Sequence, residues 1–119
     1  TATTEIYTLS LHDALPIFVR AVIGGTNLAI KDPARAATEV ASRMDGGSRD
    51  LELERLTAII RDNILTAEVK RNGIGSIEAE RFERSLDQLT EDVKFQKRPQ
   101  TADIFDDQFL PPIDGRLVN

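Results

Sequence analysis

The stretch Ser76–Val93, SIEAERFERSLDQLTEDV, sets the class of this fold. Ala79, Phe82, Leu86, Leu89 and Val93 recur at steps of three and four, while Glu80, Arg81, Glu83, Arg84, Asp87 and Glu91 fill the positions between. That spacing predicts a helix with one apolar face and one wet face. Ser76 is read as its N-cap, since a serine oxygen ahead of an apolar-periodic run accepts an orphan helix N–H. Asn72, Gly73, Ile74 and Gly75 supply the stop and turn before it.

Moving towards the N-terminus, Thr66 is the expected cap of a short turn through Glu68, Val69 and Lys70. Before it, Leu53, Leu56, Thr57, Ile60 and Ile64 lie at helical spacing with Ser48 or Asp50 as the cap, and Glu52, Glu54, Arg55, Arg61 and Asp62 face out. Asp32-Pro33 opens another helix, because aspartate is a good N-cap acceptor and proline at the first helical position forfeits no hydrogen bond. Ala36, Ala37, Val40 and Met44 form its stripe, ending at the Asp45-Gly46-Gly47 turn. A first helix is expected from about Phe18 to Lys31, with Phe18, Val22, Leu28 and Ala29 as a loose apolar face interrupted by Gly24 and Gly25. In the other direction, Lys94–Gln100 reads as a polar linker, Thr101 as the cap of one turn over Ala102–Asp106, and Phe105, Phe109 and Leu110 as anchors of the tail on a parent domain. No segment alternates as a strand does, so the observed chain is expected to be mostly α.

The string TATTEIYTLSLHDALPI, residues 1–17, resembles residue for residue the translation of a common sequencing-library adapter. Biological sequence is then expected from about Val19 onward, with further coding sequence upstream. His12 and Tyr7 are the single histidine and tyrosine of the chain, and both fall in this string. The remainder has no His, Tyr, Trp or Cys, hence no imidazole for acid–base catalysis, no thiolate nucleophile, no Cys/His metal set and no disulfide. The formal charge is −5, and setting Glu5 and Asp13 aside leaves 18 acidic against 15 basic residues. A mildly acidic chain lacks the basic footprint of a nucleic-acid binder. With no unbroken apolar run of about 18 residues, no membrane span is expected in the observed part.

The segments FVRAVIGGTNLAIKDPARAATEV (18–40), LELERLTAII (51–60), VKRNGIGSIEAERFERSLDQL (69–89) and DIFDDQFLPP (103–112), in this order, resemble the C-terminal region of bacterial ABC-transporter solute-binding proteins of the nitrate/sulfonate/taurine and thiamine-precursor group. The shared marks are Asp32-Pro33, the Gly73/Gly75 turn before an amphipathic helix, and the Asp103-to-Pro111 ending; Thr26 stands where such proteins often carry a large aromatic residue. The resemblance implies that residues 18–112 are the helical C-terminal part of a two-lobed α/β periplasmic binding protein, followed by a tail at 113–119. It also implies a small-molecule ligand held between the lobes of the intact protein, an ABC permease as partner, and a periplasmic or extracytoplasmic location reached through an upstream signal peptide. It implies a binding protein and not an enzyme. Two other readings stand beside it: a small helical protein-interaction module using the Phe82 stripe, and an enzyme of thiamine-pyrimidine synthesis with the same fold.

Candidate sites are few. Gly73, Gly75 and Ser76 precede a helix and could cradle an anion such as a sulfonate or phosphate, though the same residues serve equally as a glycine turn and cap. Asp45-Gly46-Gly47-Ser48 lacks calcium-loop spacing. Asp103, Asp106 and Asp107 read as a solvated turn, because catalytic carboxylates need burial or a close partner. No catalytic residue, metal ligand or cofactor is expected.

Overall fold

The computed structural model describes residues 2–118, with side chains from His12 onward. Helix α1 (Ala2–Lys31) leads into α2 (Pro33–Ala41) and α3 (Arg49–Ile59), and α3 closes on a wider π turn, Ile60–Ile64, in which the Leu65 N–H reaches back five residues to Ile60 O at 2.8 Å. Helices α4 (Ala67–Asn72), α5 (Ala79–Asp92) and the single turn α6 (Thr101–Ile104) follow, with a 3₁₀ turn at Ile113–Gly115. The described residues contain no strand, as the patterning predicts.

The capping residues act largely as read. Asp32 Oδ1 accepts the Arg35 N–H at 3.0 Å with Pro33 in the first turn of α2. Ser48 accepts the Leu51 N–H at 3.5 Å, and Thr66 accepts the Val69 N–H at 3.2 Å. Two expected caps move. Helix α5 begins at Ala79 behind Glu78, and Ser76 instead gives its hydroxyl proton to Asn72 O at 2.7 Å. At α6 the cap is Gln100, whose N–H is taken by the Asp103 carboxylate at 2.9 Å; Thr101 is free to turn its hydroxyl towards Glu83.

Helix α1 is longer than the expected 18–31 segment and runs unbroken through Pro16. The face it docks is also different. Ile23 is buried and Val19 half-buried, whereas Phe18, Val22 and Leu28 lie in solvent. Both sides of this segment are apolar, so periodicity alone does not choose between them, and the side that is covered carries Ile23. The stretch His12–Lys31 is long and apolar enough to cross a membrane by length and composition alone. An unbroken apolar run misses it because Asp13, Arg20 and Lys31 lie within it, and His12–Ile17 belong to the adapter-like string.

Ala37 on α2 is the tightest point of the molecule, 1% exposed, and its small side chain lets α2 lie close to α3. Val40 and Met44, expected on the same stripe, are about half exposed. On α5 only Leu86 is buried; Phe82 is half-buried, while Leu89 and Val93 stand open. The buried apolar set is Ile23, Ala37, Ile60 and Leu86. Leu86→Ala is expected to lower the unfolding free energy by about 2–5 kcal/mol, against less than about 1 for Leu89→Ala. Urea titration followed by circular dichroism measures both, and equal losses would remove Leu86 from the core.

Candidate functional site

The α4–α5 corner gathers the most polar chemistry in the chain. Thr66 starts α4, Gly73 ends it with φ +79°, and Gly75 at φ +86° turns the chain again before α5. Left-handed backbone of this kind favours glycine. The reversal sets α4 beside the first turns of α5 and leaves a cleft of about 220 Å³ between them, lined by Asn63, Thr66, Glu68, Ser76, Arg81 and Ser85. Glu68 is its anchor: the side chain is 11% exposed, its Oε2 meets Arg81 Nη1 at 2.5 Å, and its Oε1 accepts the Glu78 N–H at 2.8 Å. Arg71 reaches Glu78 at 2.6 Å on the outer rim. Glu68 thus supplies the acceptor that the Glu78 cap position needs, and ties the two helices by charge at the same time.

The loop that leads into α5 has the opposite polarity to the anion cradle considered for Gly73, Gly75 and Ser76. Its occupant is a cation. Arg116 Nη1 donates to Ile74 O at 2.9 Å, to Ser76 Oγ at 2.7 Å and more distantly to Asn72 O at 3.4 Å. Nε of the same guanidinium donates to Pro111 O at 2.8 Å. The loop's N–H groups are largely used: Ile74 N–H goes to Arg116 O at 2.9 Å, Gly73 N–H to Val69 O at 2.9 Å and Ser76 N–H to Gly73 O at 3.4 Å. An anion would therefore meet carbonyl oxygens. Helix α5 starts three residues beyond Ser76, so its N-terminal dipole is not centred on the loop either.

Nothing in the sequence analysis singled out Arg116. The only signal available was the glycine pair itself, because a Cβ on Gly73 would lie 3.0 Å from Arg116 Cβ and one on Gly75 would lie 2.8 Å from Leu110 Cδ2. Both glycines mark close approach of a segment about 40 residues away, which spacing within the loop cannot identify. Within the described residues the tail meets its own chain: Leu110 is half-buried against Gly75, and the Phe109 ring lies edge-on at 5.4 Å to His12 of the adapter-like string.

A second charged cluster joins α5 to α6. Arg98 Nη2 bonds Glu83 Oε2 at 2.8 Å and Asp87 Oδ1 at 2.7 Å, and Thr101 donates its hydroxyl to the other Glu83 oxygen. The Thr101 hydrogen bond and then Arg98 hold the Glu83 carboxyl below its usual range; Glu83 and then Asp87 raise Arg98. These are satisfied structural pairs with no reacting group between them. Asp103 caps α6 and Asp106 accepts from both nitrogens of Gln108, all three aspartates of the tail being exposed. Among the described residues no group of acidic or histidine side chains is placed to hold a metal ion.

No protein-family model, curated protein or solved structure matches the chain.

Two outcomes follow from this geometry. Gly75→Ala meets both a left-handed backbone and Leu110, and is expected to cost at least about 1 kcal/mol in urea unfolding, whereas Gly24→Ala, which meets open space on a helix, should be neutral or stabilising. Because the folded Glu83 carboxyl sits low, its contribution is present above the ordinary carboxylate range and is lost as pH falls through the depressed folded value. Glu83→Gln should therefore flatten the acid limb of melting temperature against pH and leave the neutral limb parallel. An unchanged acid limb would rule the cluster out as a contributor.

Proposed function

We propose that this chain is the C-terminal portion of a substrate-binding component of an ABC importer, serving a small solute such as nitrate, a sulfonate, taurine or a thiamine precursor. The observation that carries the reading is how much surface remains uncovered. Surfaces carrying Phe18, Val22 and Leu28 on α1, and Leu89, Val93 and Phe95 after α5, stand between 40% and 70% exposed. Helices that pad the lobes of a larger α/β body would have these properties, and the order of segments 18–112 resembles that of the solute-binding group.

Ligand contacts in this reading belong to the portion of the body outside the chain, and the chain's own part is packing. Binding then works by differential affinity for open and closed states of the whole protein. No step of chemistry is assigned to the residues present. One observation favours a second reading, a helical interaction module: Leu89, Val93 and Phe95, close in sequence at the end of α5, are all exposed apolar side chains of the kind that dock on a protein partner.

The two readings part on the coding sequence and on stability. Recovering the gene upstream of the codons for residues 19–40 should reveal a secretory signal and alternating strands and helices; a start codon next to Val19 would sink the transport reading. A protein beginning at Val19 is expected to melt broadly and to bind a hydrophobic dye. A sharp, cooperative melt of a compact monomer would instead favour the free-standing module.

A further inference from the structure

Asn72-Gly73 is the one asparagine–glycine pair of the sequence; Asn27 is followed by leucine and Asn63 by isoleucine. Such a pair can modify itself. Glycine has no Cβ to shield its nitrogen, and an asparagine amide is among the thermolabile groups of a protein. Gly73 N attacks Asn72 Cγ, and the side-chain amide leaves as ammonia with the proton that Gly73 N gives up, closing a succinimide ring. Water then adds to either ring carbonyl and breaks its bond to the nitrogen. One opening leaves aspartate at position 72, the other isoaspartate, whose main chain runs through the side-chain carbon. An amide nitrogen is exchanged for an oxygen from water, and nothing is oxidised or reduced.

Ring closure needs Gly73 N to swing towards Asn72 Cγ about the Asn72 Cα–C bond, a rotation that turns the whole peptide group made of Asn72 C=O and Gly73 N–H. The structure holds that group at both ends. Its N–H donates to Val69 O at 2.9 Å, the bond that closes α4. Its oxygen accepts the Ser76 hydroxyl at 2.7 Å and, more distantly, Arg116 Nη1 at 3.4 Å. The same Nη1 donates to Ser76 Oγ at 2.7 Å, which leaves the serine proton for Asn72 O. Gly73 is buried, and Arg116 lies so close that a Cβ on Gly73 would stand 3.0 Å from Arg116 Cβ. The attacking nitrogen is therefore spent on a backbone acceptor and its peptide plane cannot turn without breaking both bonds.

We propose that Asn72-Gly73 is a self-modification site of this chain, deamidating to aspartate and isoaspartate, and that the fold suppresses the reaction by pinning one peptide group between Val69 O and the Ser76 hydroxyl. The substrate is the chain's own amide and the co-reactant is water. Conversion then falls on unfolded chains and spares folded ones, and it runs one way. Isoaspartate lengthens the main chain by a carbon at the residue where α4 closes on Val69 O, so the closing bond cannot re-form in register. Either product adds negative charge to a chain whose formal charge is already −5.

Full-length protein incubated at mildly alkaline pH, then digested and read at residue 72 by mass spectrometry, tests it. Unfolded in urea, the wild type should convert at the rate of a free peptide of residues 69–77 in the same urea; folded, it should convert at least about tenfold more slowly. Ser76→Ala removes the donor to Asn72 O and should speed conversion of the folded chain about fivefold, the weight of one hydrogen bond. Hydrogen exchange of the Gly73 amide should quicken by the same factor while amides of α2 and α3 keep their wild-type rates. Ser76→Thr, which keeps a hydroxyl, should restore the wild-type conversion rate. A folded wild type that converts as fast as the unfolded chain overturns the proposal, as does a Ser76→Ala chain that converts no faster than wild type or loosens every amide alike. If Ser76→Ala does not fold, wild type in urea below its unfolding transition replaces it: conversion at residue 72 should rise in step with Gly73 amide exchange, and conversion that stays flat while that amide opens overturns the proposal.

Discussion

Scarcity of buried apolar surface governs everything else in this chain. Among the described residues Ile23, Ala37, Ile60 and Leu86 are the buried apolar ones, and they are spread over four separate helical segments. Ordering each residue costs on the order of 1–2 kcal/mol of conformational entropy, so burial on this scale leaves little margin for long-range order. The structure meets the shortfall with polar ties: Glu68 spanning α4 and α5, Arg98 and Thr101 fixing α6 to Glu83, and Arg116 sewing the tail to the loop at 72–76. Exposed ion pairs are individually weak. Those that also satisfy a backbone group, as Glu68 does for the Glu78 N–H, carry more, because an unmet buried donor is expensive.

The two halves of the chain solve the problem differently. In the first, α2 and α3 approach through Ala37, whose small side chain stands in for bulky packing, and α1 buries Ile23. In the second, helices are short and separated by glycine and proline, and order comes from hydrogen bonds that cross 10 to 44 residues of sequence.

The elements were legible where the signal is local. Asp32-Pro33, Ser48 and Thr66 cap helices because a short oxygen-bearing side chain reaches an N–H two or three residues on, and the sequence neighbours alone decide that. Gly73 was readable as a helix stop for the same reason. The docking face of α1 was not, since Phe18, Val22 and Leu28 on one side and Val19 and Ile23 on the other are equally apolar, and only tertiary packing selects between them. Ser76 and Thr101 were misread as caps because each has a stronger tertiary use: Ser76 accepts from Arg116, and Thr101 donates to Glu83. In the candidate site, the loop residues were found but the sign of their ligand was not. An arginine 40 positions downstream leaves no periodic trace, and the polarity of a glycine loop depends on whether its carbonyls or its N–H groups turn inward.

That last distinction also bears on how glycine turns before helices are to be understood. The N–H groups of such a turn bind anions only when the helix begins directly behind them and the groups are otherwise idle. Here Glu78, not Ser76, opens α5, and the N–H groups of Gly73, Ile74 and Ser76 all have backbone acceptors. The carbonyls of the loop need donors instead: Ile74 O takes one from Arg116, Asn72 O takes the Ser76 hydroxyl and more distantly Arg116, and a carbonyl without a donor would be costly. A guanidinium resolves both needs at once, since its several N–H groups reach divergent acceptors without bringing a carboxylate into the site. The two left-handed glycines thus do not advertise a phosphate. They bring the carbonyls of Asn72 and Ile74 and the Ser76 hydroxyl within reach of one guanidinium nitrogen, Nη1 of Arg116.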